Sequence, residues 1–125
     1  MSVSQLCPTE TVSLDTELLD QMCIRLGHAK AESAICAAME DIAVLLQYTG
    51  TLMKAGDVET LAITTSQIEG LALRTGMAKL ARVANDVQRL SGRDDVNALA
   101  ATVSRLRRVG EKSLVAIWNR EDVLV

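Results

Sequence analysis

Residues 61–80, LAITTSQIEGLALRTGMAKL, decide how the rest of the chain is read. This is a helix-forming run that contains two glycines, Gly70 and Gly76. A glycine in a helix interior destabilises it by about 1 kcal/mol relative to alanine, so Gly70 marks a place where a side chain is unwanted. At about 100° per residue, Leu61, Thr65, Ile68 and Ala72 fall on one side and predict a core stripe. Ser66, Gly70 and Leu73 fall roughly opposite, with Ile63 toward the flank. That second side is small and apolar, where an ordinary surface helix carries Lys and Glu. Two readings follow. The helix is buried all round, or the second side is a docking face at which Gly70 lets another backbone come close.

Outward from this stretch, apolar residues recur at helical spacing along most of the chain. Residues 1–13 read as a flexible lead, with polar residues, Pro8 and no periodicity. Ser13 is the expected cap of a first helix over 14–26, with Asp15 and Glu17 in its first turn and Gly27 as its stop. A second helix runs from about 29 to 54 on Ile35, Met39, Ile42, Leu45/Leu46, Thr49 and Leu52/Met53. The turn Ala55-Gly56-Asp57 opens the central helix near Val58. Gly76 either ends that helix or bends it into a fourth, over 77–90, carried by Leu80, Val83/Ala84, Val87 and Leu90. Ser91-Gly92-Arg93-Asp94 is a break, with Asp94 or Asp95 capping a last helix over 96–118 through Leu99, Val103, Leu106, Ser113/Leu114 and Ile117. Short connections set sequential helices antiparallel. The expected fold is therefore all-α: an up-down antiparallel four-helix bundle with an additional N-terminal helix, one domain over 14–125. Nothing alternates at period two for long enough to be a strand.

Composition agrees with one helical domain. The 125 residues are 49% hydrophobic and 23% charged, with one Pro, no Phe, one Tyr and one Trp. The core must be built from Ala, Leu, Val, Ile and Met. A formal net charge of −3 exerts no general pull toward nucleic acid or anionic membrane. No run is long enough to span a bilayer, the longest strongly apolar one being 42–46. The first residues lack the basic and apolar regions of a secretory signal. Cys7, Cys23 and Cys36 are odd in number and show no CxxC spacing, which predicts reduced thiols and a cytoplasmic chain.

The central stretch resembles the histidine phosphotransfer (HPt) domains of bacterial phosphorelays. These carry His-x-Leu-Lys-Gly-Ser/Ala-Ala/Ser-x-x-x-Gly on their central helix. Aligned on both glycines, this chain reads Ser66-Gln67-Ile68-Glu69-Gly70-Leu71-Ala72-Leu73-Arg74-Thr75-Gly76. The aliphatic residue, Ala72 and both glycines match. Ser66 stands at the phosphorylatable histidine and Glu69 at the lysine. Lys54-Ala55-Gly56-Asp57 stands where the family often has a turn before this helix, and Met77-Ala78-Lys79-Leu80-Ala81 looks like the start of the next one. Residues 14–118 can be laid on the family's helix order. The resemblance implies an HPt-type bundle that docks on a response-regulator receiver domain or a histidine kinase. The docking face it implies is Ile63, Ser66, Gln67, Glu69, Gly70 and Leu73, with Arg74 at its edge.

Phosphoryl transfer at this site is not expected. An imidazole can attack an aspartyl phosphate and then leave again, whereas a serine hydroxyl is a poor nucleophile without a base. A serine phosphate ester is also too stable to pass its phosphoryl group on. Glu69 would oppose the phosphate dianion that the family's lysine offsets. The chain is therefore read as a binding module and not as an enzyme. His28, the single histidine, is read first as a surface or capping residue. Its alternative is a displaced phosphoacceptor, although 27–32, GHAKAE, lacks the Pro and the following acid of the kinase pattern. A structural homodimer through the small-residue face is the third reading.

Other chemistry finds little support. One His, scattered carboxylates and three separated Cys give no metal-ligand spacing, and no cofactor is expected. There is no GxGxxG, Walker loop or GxSxG. Glu40-Asp41 and Asp94-Asp95 read as solvated charge or caps. Arg105, Arg107, Arg108 and Lys112 suggest a basic patch on the last helix, but aromatics to stack bases are scarce, so nucleic acid is a weak partner. Trp118 is either a lid on the bundle end or part of a dimer contact.

Overall fold

A computed structural model describes Val12 and residues 14–120. The other residues of the expected N-terminal lead, including Cys7, Pro8 and the expected cap Ser13, lie outside the described residues. Val12 itself is partly buried against the core. The described residues are all-helical: α1 (Thr16–Leu26), α2 (His28–Ala55), α3 (Val58–Arg74), α4 (Ala78–Ser91) and α5 (Val96–Trp118). Each packs on its sequence neighbour, and among the extensive pairings α1 meets only α2. Contacts of α2 with α5 close a ring through α2, α3, α4 and α5.

The boundaries have local causes. Asp15, not Ser13, caps α1: its side chain accepts from Leu18 N–H at 3.1 Å. The helix therefore starts at Thr16, two residues later than the spacing predicts. Asp15 has non-helical backbone angles (φ −80°, ψ 86°), as a cap residue does, and its own N–H donates to the Gly76 carbonyl at 2.7 Å. Gly27 ends α1 with φ 83° and leads directly into α2. Gly56 (φ 71°) stops α2: its N–H donates to Met53 O and the Asp57 N–H reaches back to Leu52 O, a Schellman stop.

Asp57 then caps α3, accepting from Thr60 N–H at 3.1 Å. The Thr60 hydroxyl and then its N–H hold the Asp57 carboxyl below the usual carboxylate range. A lowered folded pKa contributes stability above the unfolded value of about 3.9, lost as pH falls through the folded value. Asp57→Ala should therefore lower the melting temperature near neutral pH. The difference from the wild type should shrink below about pH 4, as thermal melts at both pH values would check.

Gly76 ends α3 rather than bending it. It has φ 74°, and the Met77 N–H donates to Ala72 O at 2.9 Å. Met77 is fully buried in that turn, and α4 begins one residue after the expected start. Asp95 caps α5, accepting from Ala98 N–H at 3.0 Å.

The core is aliphatic, as the composition requires. Leu61, Thr65, Ile68 and Ala72 are all buried on α3. Leu61, Ile68 and Ala72 join Ile35, Ile42, Leu46 and Leu52 of α2, Leu80, Val83 and Val87 of α4, and Leu99, Val103, Leu106 and Ile117 of α5 in one cluster. The buried hydroxyls are satisfied within their own helices: Thr65 donates to Leu61 O, Thr75 to Leu71 O and Ser113 to Val109 O. They therefore sit in the core without an orphaned donor. Gly110 has a packing reason that the sequence does not display. A Cβ there would run into Leu46 Cδ1, so its missing side chain is the notch that admits Leu46 between α2 and α5.

Cys23 and Cys36 are free thiols, each half-buried. No described helix is long and apolar enough to cross a membrane. The described residues hold no group of three His, Cys, Asp or Glu that could bind a metal ion.

Candidate functional site

On α3 the side opposite the core stripe is open. Ser66, Gln67 and Arg74 are exposed, Gly70 is half-buried, and Ile63 and Leu73 are 57% and 56% exposed. The helix is thus not buried all round. Ser66, Gln67, Gly70 and Arg74 line a shallow groove of about 590 Å³ between α2 and α3, with Asp41, Val44, Leu45 and Leu71. Asp41 supplies the carboxylate of this lining and Arg74 its cation. Ile63 and Leu73 stand outside that lining. Glu69 is drawn to the other flank, where its Oε1 accepts from Gln88 Nε2 on α4 at 3.0 Å.

A second groove of about 810 Å³ lies between α1, α2 and the end of α3, and includes Met22, Arg25, Leu26, Ala38 and Leu73. The two grooves share Asp41, Leu71 and Arg74. An acid, Asp41, and a base, Arg74, are thus common to both.

Gly70 differs from the other glycines within helices. A Cβ at Gly110 would overlap Leu46, and one at Gly50 would come within 3.1 Å of the Arg107 guanidinium. A Cβ at Gly70 would meet only Arg74 Nη1, at 3.5 Å, an ordinary contact. Gly70 also has no positive φ. The folded chain therefore does not require glycine at this position.

Four lining residues were not expected on the docking face: Val44 and Leu71, Leu45, which was read into the core stripe of α2, and Asp41, which was read as solvated charge. A signal for α2 existed. Asp41, Val44 and Tyr48 are spaced i, i+3, i+7 on the side away from Ile42, Leu46 and Thr49. Val44 and Tyr48 are 67% and 45% exposed. What spacing cannot display is that this side of α2 stands beside the Gly70 side of α3.

His28 is the first residue of α2. Its Nε2 lies 4.0 Å from Glu32 Oε2 one turn on, and it lines neither groove. The four basic residues of α5 do not form one patch. Arg107 lies over Gly50 of α2, while Arg105 Nη1 lies 4.0 Å from Asp86 Oδ2 of α4. Two residues along a helix are separated by about 200°, which sends these two side chains to opposite flanks. Trp118 is largely exposed at the end of α5 and does not close the bundle.

Comparison of the chain with models of known families, with curated proteins and with solved structures finds no match.

Proposed function

We propose that the chain is an HPt-like docking module of a two-component phosphorelay, binding a receiver domain or a histidine kinase in the cytoplasm without relaying phosphate. On this reading the ring of α2 to α5 is an up-down antiparallel bundle of HPt type and α1 is an additional N-terminal helix. The observation that carries it is Gly70: a glycine within a helix, on an open groove, that the monomer's own packing does not need. Its use is then outside the monomer, as the point where a partner's backbone approaches α3 closely. The sequence resemblance over 66–76 supplies the kind of partner. Ser66 in place of histidine removes the phosphoryl carrier, and the pairing of Glu69 with Gln88 leaves no cation at the family's lysine position.

The test mixes the purified chain with acetyl-phosphate-charged receiver domains from its own genome, reading complex formation and label transfer together. Binding without label is expected. Gly70→Arg should weaken the complex roughly thirtyfold or more, the scale of a hot-spot loss. Far-UV circular dichroism should hardly change, because a Cβ there meets only the far end of the flexible Arg74 side chain, at 3.5 Å. Unchanged affinity would remove Gly70 from the interface. Acid-labile label that His28→Ala abolishes would replace this reading with active transfer through His28.

A second reading has its own support. Val44, Tyr48, Ile63 and Leu73 are apolar and exposed on α2 and α3, as a homodimer pairing through this side would need. Sedimentation of Gly70→Arg separates the two, since a homodimer would become a monomer.

A further inference from the structure

A separate cleft of about 280 Å³ lies between the C-terminal end of α4 and the body of α5. It is lined by Asp86, Arg89, Leu90, Arg93, Thr102 and Arg105, and shares no residue with the grooves beside α3. The lining includes three arginines and one aspartate, in a chain of net negative charge. They converge from different pieces of backbone: Arg89 from the last turn of α4, Arg93 from the connecting turn, and Arg105 from the third turn of α5. The sequence pattern linked Arg105 to its neighbours on α5, and it is the packing of α5 on α4 that brings it to Arg89 and Arg93.

Asp86 stands among them. Arg89 Nη2 bonds to Asp86 Oδ1, and Arg105 Nη1 lies 4.0 Å from Oδ2. Exposed ion pairs of this kind add only ~0–1 kcal/mol to stability, so stability does not account for gathering three arginines here. The carboxylate tethers Arg89 and lies beside Arg105, which reduces the ordering needed when an anion arrives. Among the lining residues, three arginines stand against this one carboxylate.

We propose that this cleft binds a phosphate group, carried by a small free phosphate compound or by a lipid headgroup. Guanidinium forks match phosphate oxygens two at a time. The Thr102 hydroxyl donates to the Ala98 carbonyl at 2.8 Å, so the arginines are the donors. The volume accommodates one or two phosphoryl groups and falls short of the roughly 300–1,000 Å³ of clefts that enclose drug-sized ligands. A larger molecule would therefore leave its remainder in solvent.

The experiment has two arms, both at low salt because exposed charges are screened at high ionic strength. Calorimetric titration with pyrophosphate tests a free phosphate compound. Flotation with phosphatidylcholine vesicles, with and without phosphatidic acid, tests a headgroup. Saturable binding in either arm supports the site and identifies the source. Arg93→Ala, in an exposed turn, and Arg105→Ala should each weaken it about tenfold or more. Arg108→Ala, exposed on α5 outside the cleft, should leave it unchanged. Absence of saturable binding in both arms would overturn the proposal, as would an equal loss in Arg108→Ala, which would indicate unspecific attraction to the basic residues of α5.

Discussion

Ile68→Ala should lower the unfolding free energy by about 2–5 kcal/mol, a large part of the stability of a domain this size. Ile68 is fully buried on α3, within the cluster that joins α2, α4 and α5. Removing its outer carbons loses their transfer free energy and leaves a cavity that four packed helices can close only in part. Two residues on, Gly70→Ala should act in the opposite direction, raising stability by up to about 1 kcal/mol through helix propensity and a less flexible unfolded chain. The space for that methyl is already present, with Arg74 Nη1 at 3.5 Å. Urea denaturation of both variants checks the pair. A loss of stability in Gly70→Ala would mean that the monomer itself needs the glycine, and the argument for an outside partner would fall.

Gly76→Val should destabilise the chain by roughly 2–6 kcal/mol, from two sources. A β-branched residue at φ 74° sits in the left-handed region at a strain of roughly 1–3 kcal/mol. Its Cβ would also lie 3.0 Å from the Asp15 carbonyl oxygen and 3.3 Å from Leu19 Cγ, and crowding of this kind adds about 1–3 kcal/mol. The same turn holds α1, because the Asp15 N–H donates to the Gly76 carbonyl. Hydrogen exchange should therefore accelerate in α1 before it does in α3. Gly76→Asn should be milder, since asparagine tolerates the left-handed region. Equal loss in the two variants would show that crowding against Asp15, not backbone strain, dominates.

These two glycines divide what was readable from what was not. Both stand in one motif, Gly70 read as part of a docking face and Gly76 as a stop or a bend, and pattern alone does not say what lies against either. Gly76 proves to have two causes inside the fold, a positive φ and the close approach of Asp15, whereas Gly70 has neither. A sequence specifies that a side chain is absent but not what occupies the space, because the occupant comes from distant residues or from another molecule.

The helices themselves were legible. Apolar spacing placed five of them, and the glycines and aspartates at their ends placed most boundaries within two residues, because periodicity and capping act between residues a turn or less apart. The start of α1 was misplaced because two cap candidates stand two residues apart, and the cap is Asp15, whose side chain accepts from Leu18 N–H.

By itself, then, the sequence determined an all-helical chain, the aliphatic core stripes of α2 to α5, and a small-residue side on α3. Tertiary packing decided the rest. It set Asp41 and Val44 of α2 beside Gly70, turned Glu69 away to Gln88, and gathered Arg89, Arg93 and Arg105 from two helices and a turn. Helical pattern reports which side of an element faces inward; which neighbouring element shares its outer edge is settled only when the buried sides have packed.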